Sequence, residues 1–347
     1  MTTSKVWNCG DLVSTVAGIF AGHGLPQDDA DWIAYCLVEA DLRGVRSHGI
    51  ARIPIYTKRL RMGLVNPRPA MEVTNPTAAS AHVMGDNGMG YLVGRRAIDE
   101  AIRLARSQGI GLVGASQSNH YGMSAIYMER AIEAGLASIA LSNASPAMPV
   151  WGGRLPLLGT SPLAMAAPGG RGQPVLLDMA TSVAAKGKIR RAQIRGETIP
   201  EGWAIDDLGR PTTDPEVALR GVVLPLGGPK GSGISLMIDV FAGVMSGAAF
   251  AGEVGNQNED FDRAQNVGHF FIAWRPALFL HEDAYGARMD EMRTRLKAGP
   301  FAAGFDEILL PGEPEARLAA AARENGITLD GDELAMLERE REHAGAQ

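Results

Sequence analysis

Cysteine is scarce in this chain. Its 347 residues include two, Cys9 and Cys36, which excludes the disulfide framework of a small secreted domain. Both fall in partly apolar, helix-like stretches, the pattern of free thiols in a reducing compartment, so a cytoplasmic location is expected. An excess of positive charge is missing too: the net charge is -6 and no long basic run occurs, so nucleic acid is not an expected partner. Long hydrophobic runs are absent. The longest, from Ile234 to Ala251, is interrupted by Asp239 and loaded with Gly, Ala and Ser, which suits a packed core helix and gives no reason to expect a membrane. The opening residues, Met1-Thr-Thr-Ser-Lys-Val-Trp-Asn, lack the basic patch and apolar run of a secretory signal. Nor do the usual nucleotide fingerprints appear, because neither 85–90 nor 226–233 satisfies Gly-x-Gly-x-x-Gly or Gly-x-x-x-x-Gly-Lys-Ser/Thr. The seven histidines are scattered without short ligand spacing, so no metal is expected.

What is present is material for a large core. At this length one hydrophobic core usually stops growing, so two domains are expected, possibly interleaved. Residues 5–43 show two helical patterns, with Leu12, Val13, Val16 and Phe20 on one face, then Ile33, Leu37 and Ala40 on another. A further helix covers 53–62. Asn66-Pro-Arg-Pro69 with Asn75-Pro-Thr then reads as a stiff connector and a candidate boundary. From Ala79 the order is strand, helix, strand, helix, strand, ending at Ser142. Short strands follow at 163–167 and 175–177, a helix near 184–195, turn chemistry over 206–215, a strand at 221–226, and a helix over 235–249. A polar loop, 253–265, precedes a strand at 268–274. Helices at 282–297, 315–323 and 331–341 close the chain, with a short strand at 327–329.

Several segments can carry chemistry. Arg43-Gly-Val-Arg46-Ser47-His48-Gly-Ile-Ala-Arg52 sets an imidazole four residues before a guanidinium. Imidazole titrates near neutrality, and the planar fork of Arg grips a carboxylate, so the pair suits a carbonyl or hydroxyl beside a carboxyl group. A solvated basic helix end is the other reading. His120 lies between a strand end and a helix start, where open sheets place ligands; a helix-capping loop is the alternative there. Leu226-Gly-Gly-Pro-Lys230-Gly-Ser-Gly233 offers Lys230 and small residues to a phosphate, or is a plain tight connection. Asp178 can hold a ribose hydroxyl or cap the following turn. Lys186 and Lys188 can touch a phosphate or face solvent.

Taken together, Arg43-Gly-Val-Arg-Ser-His48-Gly with Arg52, Asn119-His120-Tyr-Gly122, Gly159-Thr-Ser-Pro-Leu-Ala, Leu177-Asp-Met-Ala-Thr-Ser182, Gly228-Pro-Lys-Gly-Ser-Gly233 and Leu310-Pro-Gly-Glu313 resemble the malate/L-lactate dehydrogenase family of non-Rossmann oxidoreductases. The resemblance runs from about residue 10 to 340 in one motif order. It implies an α/β fold of α+β type, with a largely antiparallel central sheet flanked by helices and a helical domain built from both chain ends. The expected division is 1–75 with 282–347 as the helical domain and 76–281 as the nicotinamide-binding, catalytic domain. A homodimer is implied.

The same resemblance implies roles residue by residue. Ser47 and His48 match a Ser-His pair, Arg52 a position that binds the substrate carboxylate, and Thr160 a further substrate contact. His120 matches a proton acceptor of the ureidoglycolate branch and opens a cofactor segment with Tyr121, Gly122, Met123 and Ser124. Asp178, Met179 and Ala180, then Lys188, Lys230, Pro311, Gly312 and Glu313, are the other expected contacts to NAD or NADP. In the cyclic imine reductase branch an Asp completes a relay with the Ser-His pair, and Lys188 stands at the matching position here. That departure favours a small 2-hydroxy or 2-oxo carboxylic acid as substrate over a cyclic imino acid. A nucleotide-binding sensor without turnover is the non-catalytic alternative.

Overall fold

The computed structural model describes residues 4–345. The chain runs β1 (Lys5–Trp7), α1 (Cys9–Gly22), α2 (Gln27–Leu42), two single 3-10 turns at Arg46–His48 and Ile50–Arg52, and α3 (Ile53–Arg61). It continues with β2 (Glu72–Thr77), β3 (Ser80–Met84), α4 (Gly90–Gln108), β4 (Ile110–Ser118), α5 (Ala125–Glu133), β5 (Ala137–Ser142), β6 (Pro162–Ala167) and β7 (Val175–Ala180). Next come α6 (Lys186–Arg195), β8 (Ala204–Ile205), β9 (Pro211–Thr212), α7 (Pro215–Arg220), β10 (Val222–Val223) and α8 (Pro229–Ile238), which runs on into a π-type turn over Asp239–Val244. The last elements are β11 (Val267–Trp274), α9 (Glu282–Lys297), α10 (Glu313–Asn325), β12 (Ile327–Leu329) and α11 (Gly331–Gly345).

Seven strands form the central sheet in the order β2-β3-β4-β11-β5-β6-β7. Every neighbouring pair is antiparallel except β3 and β4, which α4 links as a crossover. β11 lies between β4 and β5, so these two strands, consecutive in the chain, are not neighbours in the sheet. That insertion separates this sheet from a doubly wound one. The main core packs α4 and α5 against the sheet, with α2 on α4 and α1 on α2 beyond them, through residues such as Leu37, Ile98, Tyr127 and Phe271. The two chain ends meet as well: β1 pairs with β12, and the Glu340 carboxylate of α11 accepts the buried Thr57 hydroxyl of α3 at 2.6 Å.

Four local readings of the sequence are corrected. Residues 5–7, expected to open a helix, form the edge strand β1, and its partner β12 lies more than 300 residues away. The connector near Asn75-Pro76 is the edge strand β2; Pro76 is tolerated because an edge position can spare one donor. The 206–215 turn region contributes β9 and leads into α7, with Asp214 accepting the Glu216 amide at 2.8 Å and Pro215 in the first turn. Finally, the glycine-rich stretch after 226 is helical from Pro229 onward, since proline presets the dihedral of a first turn.

Candidate active site

One cavity of about 690 Å³ opens where the 3-10 turns, the β4–α5 loop, the start of α6 and the loops at 256–265 and 309–315 converge on the ends of β5 and β7. Its first wall follows from Asp41. That carboxylate turns back under the chain and accepts the Ile50 amide at 2.8 Å, which bends residues 46–52 into two tight turns. Gly49 is obligatory there, because a Cβ would lie 2.0 Å from Asp41 Oδ1. Burial pushes the Asp41 carboxyl up to about 6. The turns deliver Ser47, His48 and Arg52 to the cavity. Ser47 Oγ lies 2.9 Å from His48 Nδ1, and Arg52 Nε donates to the Ser47 carbonyl.

The second wall is the 119–124 loop, held from several sides. Asn119 Nδ2 donates to the Gly88 carbonyl at 2.8 Å, the Tyr127 hydroxyl to the Tyr121 carbonyl at 2.6 Å, and the His120 amide to Gln265 Oε1 at 3.1 Å. Gly122 has φ +78°, and a Cβ on it would stand 2.3 Å from the Tyr91 ring, so no side chain fits. This loop sets the His120 ring against that of His48, with centroids 5.4 Å apart. His120 Nδ1 is 2.7 Å from the Tyr56 hydroxyl. Both imidazoles are kept neutral. Desolvation, reinforced by Arg52, lowers His48 to about 4; desolvation, with His48, Arg52 and His269 adding repulsion, holds His120 well below its ordinary value.

The third wall carries Asp178. Its Oδ2 accepts the Ala125 amide at 2.8 Å, so it already neutralises the N-terminus of α5, and burial raises its carboxyl to about 6. The start of α6 differs: it has no acidic residue in its first turn and no side-chain cap, and Ala185, Lys186 and Gly187 line the cavity. Among the described residues, neither Arg52 nor Lys186 has a carboxylate partner, whereas the third lining cation, Arg43, is bound to Glu39 and Glu129.

Of the residues expected from sequence, Ser47, His48, Arg52, His120, Tyr121, Gly122, Met123, Ser124, Thr160, Asp178, Met179, Ala180, Pro311 and Gly312 all line this cavity. Lys188, Lys230 and Glu313 do not. Lys188 and Lys230 are exposed, on α6 and on the first turn of α8. Glu313 is buried and paired with Arg293 and Lys297, and it accepts the Leu310 amide, so it fixes the loop that carries Pro311 and Gly312. Sequence reasoning missed Tyr56, Gln265 and Arg59. The wholly buried Arg59 donates to the Asp260 and Arg263 carbonyls at 2.7 and 3.1 Å and so anchors the loop that supplies Gln265. Tyr56 had a signal, since it follows Arg52 by four residues on one helical face.

Comparison with known proteins gives one consistent result. A sequence profile described as malate/L-lactate dehydrogenase matches residues 8–338. An L-sulfolactate dehydrogenase of Methanocaldococcus jannaschii is 39% identical over 315 residues, which is 91% of this chain and 90% of that protein. An NAD(+)-dependent ureidoglycolate dehydrogenase of Escherichia coli O157:H7 is 34% identical over 311 residues, covering 89% and 88% of the two chains. In three dimensions, a solved sulfolactate dehydrogenase from Methanocaldococcus jannaschii superposes with a TM-score of 0.92 at 35% identity, covering 98% of each chain.

Proposed function

The chain belongs to the malate/L-lactate dehydrogenase family and is an NAD(P)-dependent dehydrogenase of small 2-hydroxy acids; we propose that the cavity described above is where the acid and the dinucleotide meet. One observation carries this reading. The imidazoles of His48 and His120 share a single cavity with Arg52, a guanidinium that has no carboxylate partner among the described residues.

The cavity suits a dinucleotide. Lys186 and the uncapped start of α6 offer positive charge to a phosphate, while Met123, Leu176, Leu177 and Met179 offer an apolar wall to flat rings. Residues 120–124, Asp178 to Ala180, Pro311 and Gly312 complete that wall. When bound, the nicotinamide supplies the hydride-exchanging carbon. Arg52 binds the carboxylate of the acid through its planar fork, with Thr160 as a further contact, and so turns a bimolecular encounter into an oriented one. On oxidation, His48 or His120 takes the C2 hydroxyl proton; on reduction the same ring returns it. Ser47 orients the His48 ring.

Reduction of a cyclic imino acid would use the same clamp, but Lys188 does not line this cavity and no carboxylate is hydrogen-bonded to His48 among the described residues. The deciding experiment is a panel of 2-oxo acids and a cyclic imino acid with each reduced cofactor, followed by the near-ultraviolet absorbance of the nicotinamide. Turnover of at least one 2-oxo acid is expected. Turnover of the imino acid alone would overturn the substrate class, and cofactor binding without turnover would favour the sensor reading.

Assembly and location follow as part of the same proposal. Exposed Ile234, Met237, Val244 and Met245 on α8 and the turn after it, with Trp151 and Leu155, form the kind of apolar surface that a second copy covers, consistent with a homodimer. The free thiols at Cys9 and Cys36 suit the cytoplasm. We divide the chain into a helical unit, 1–75 with 282–347, and a catalytic unit, 76–281.

A further inference from the structure

We propose that Tyr56 is a positioning residue that sets which ring nitrogen of His120 carries the proton. The inference rests on the reading that His120 faces the substrate, and it starts from the ring's own contacts. His120 Nδ1 lies 3.3 Å from the Gly122 amide and 2.7 Å from the Tyr56 hydroxyl. A backbone N–H can only donate, so Nδ1 is an acceptor in this state, and its one lone pair is shared between that amide and the closer Tyr56 hydroxyl. The neutral ring therefore holds its proton on Nε2, the nitrogen with no protein partner among the described residues, on the side of the cavity that His120 lines. At rest, His120 presents a hydrogen-bond donor suited to a 2-oxo oxygen.

Accepting a hydroxyl proton at Nε2 demands the other tautomer. The resident proton must then sit on Nδ1 and needs an acceptor, which the Gly122 amide cannot be. The Tyr56 oxygen is in place, provided that Tyr56 turns its own proton elsewhere. The Tyr91 hydroxyl, 3.4 Å from that of Tyr56, accepts that hydrogen bond. Tyr56 thus hydrogen-bonds to either tautomer: the neutral ring changes tautomer by giving its Nε2 proton to water and taking one at Nδ1, then gains the substrate's hydroxyl proton at Nε2 to become imidazolium, and on reduction gives that Nε2 proton to the 2-oxo oxygen. Other groups around the ring cannot substitute. His48 and Arg52 face it from the 3-10 turns and His269 from β11, and all three disfavour extra positive charge on it; no carboxylate hydrogen-bonds to it among the described residues. The Tyr56 and Tyr91 hydroxyls are themselves held in the protonated form by burial, as this exchange requires. Tyr56 does not line the cavity, so it acts through His120.

Two measurements on the full-length protein test this. In ¹⁵N NMR of the histidine-labelled, ligand-free enzyme, His120 should show an unprotonated Nδ1 and a protonated Nε2; a protonated Nδ1 would overturn the proposal. In steady-state kinetics, Tyr56→Phe keeps the ring packed edge-on to Tyr91 and should lower kcat in both directions by about 100-fold, within the range for loss of acid–base function, with KM for acid and cofactor held within about 2-fold. Tyr91→Phe should cost less than Tyr56→Phe. An unchanged kcat in Tyr56→Phe, a matching rise in KM, or an equal or larger loss in Tyr91→Phe would each contradict it. The NMR arm needs no turnover, so failure of the dehydrogenase reading remains distinguishable from failure of this one.

Discussion

His120 and His269 stand in adjoining parts of the fold, are both drawn from water, and are both held below the ordinary imidazole range, yet only His120 lines the cavity. His269, on β11, is wholly buried, with Nε2 2.7 Å from Ser118 Oγ and Nδ1 2.9 Å from Ser142 Oγ. Its ring stacks on Tyr121 with centroids 4.6 Å apart. Both nitrogens are spoken for, so the ring ties β4, β11 and β5 together at the end where the site loops leave. His120 uses one nitrogen for the protein and leaves the other to the cavity. An unshared nitrogen, more than burial or a lowered pKa, separates the imidazole proposed to react from the structural one.

The comparison breaks if the two residues respond alike to substitution. His120→Gln should reduce kcat by about 10²–10⁴-fold with little change in thermal unfolding. His269→Leu should do the reverse. It removes two buried hydrogen bonds, each worth about 0.5–1.5 kcal/mol, while the Ser118 and Ser142 hydroxyls keep the Asn119 and Asn143 carbonyls as acceptors, so a drop in Tm of a few degrees is expected with a far smaller loss of kcat. Equal losses of activity and stability in both variants would erase the distinction.

Arg52 sharpens it from the substrate side. Arg52→Met should raise KM for the acid by about 10–100-fold, the equivalent of a lost charged hydrogen bond of about 1.5–3 kcal/mol, and leave KM for the cofactor near its original value. If both KM values rise together, Arg52 shapes the cavity and does not hold the carboxylate.

The smallest effect is on pH dependence. His269 has its folded-state value lowered to about 3 by burial, against about 6.5 in an unfolded chain. As pH falls through 6.5 the unfolded state takes up a proton that the folded state refuses, so this stabilising contribution, complete above 6.5, shrinks toward acid. Asp41 and Asp178, raised to about 6, act with the opposite sign over part of the same window, because the folded state is the first to protonate there. The informative quantity is therefore the difference between chains: Tm should fall less steeply between pH 6.5 and 4 in His269→Leu than in the parent. Parallel Tm curves would show that His269 protonates equally in both states. For activity, two depressed imidazoles predict an acid limb well below pH 6.5.

Much of this site was legible in the sequence because its chemistry lies in short local strings. Ser47, His48 and Arg52 fall within six residues, and His120 marks a strand-to-helix loop. The long helices were visible from their apolar spacing. What escaped depends on distant partners. β1 is three residues long and exists only against β12, so no periodicity announces it. Lys230 drew notice as part of a glycine-rich turn, but Pro229 starts a helix there and leaves the ammonium in solvent. Tyr56 and Gln265 meet His120 only after folding, from 64 residues before it and 145 after it; the spacing of Tyr56 from Arg52 is a local signal, whereas nothing in the neighbourhood of Gln265 sets it apart.

The most direct measurement is a crystal structure of the protein with oxidised cofactor and a 2-oxo acid bound together. The account predicts the acid's carboxylate on the Arg52 guanidinium and its C2 oxygen within hydrogen-bond distance of His120 Nε2. A carboxylate seated on Lys186, or an acid bound away from both histidines, would contradict it.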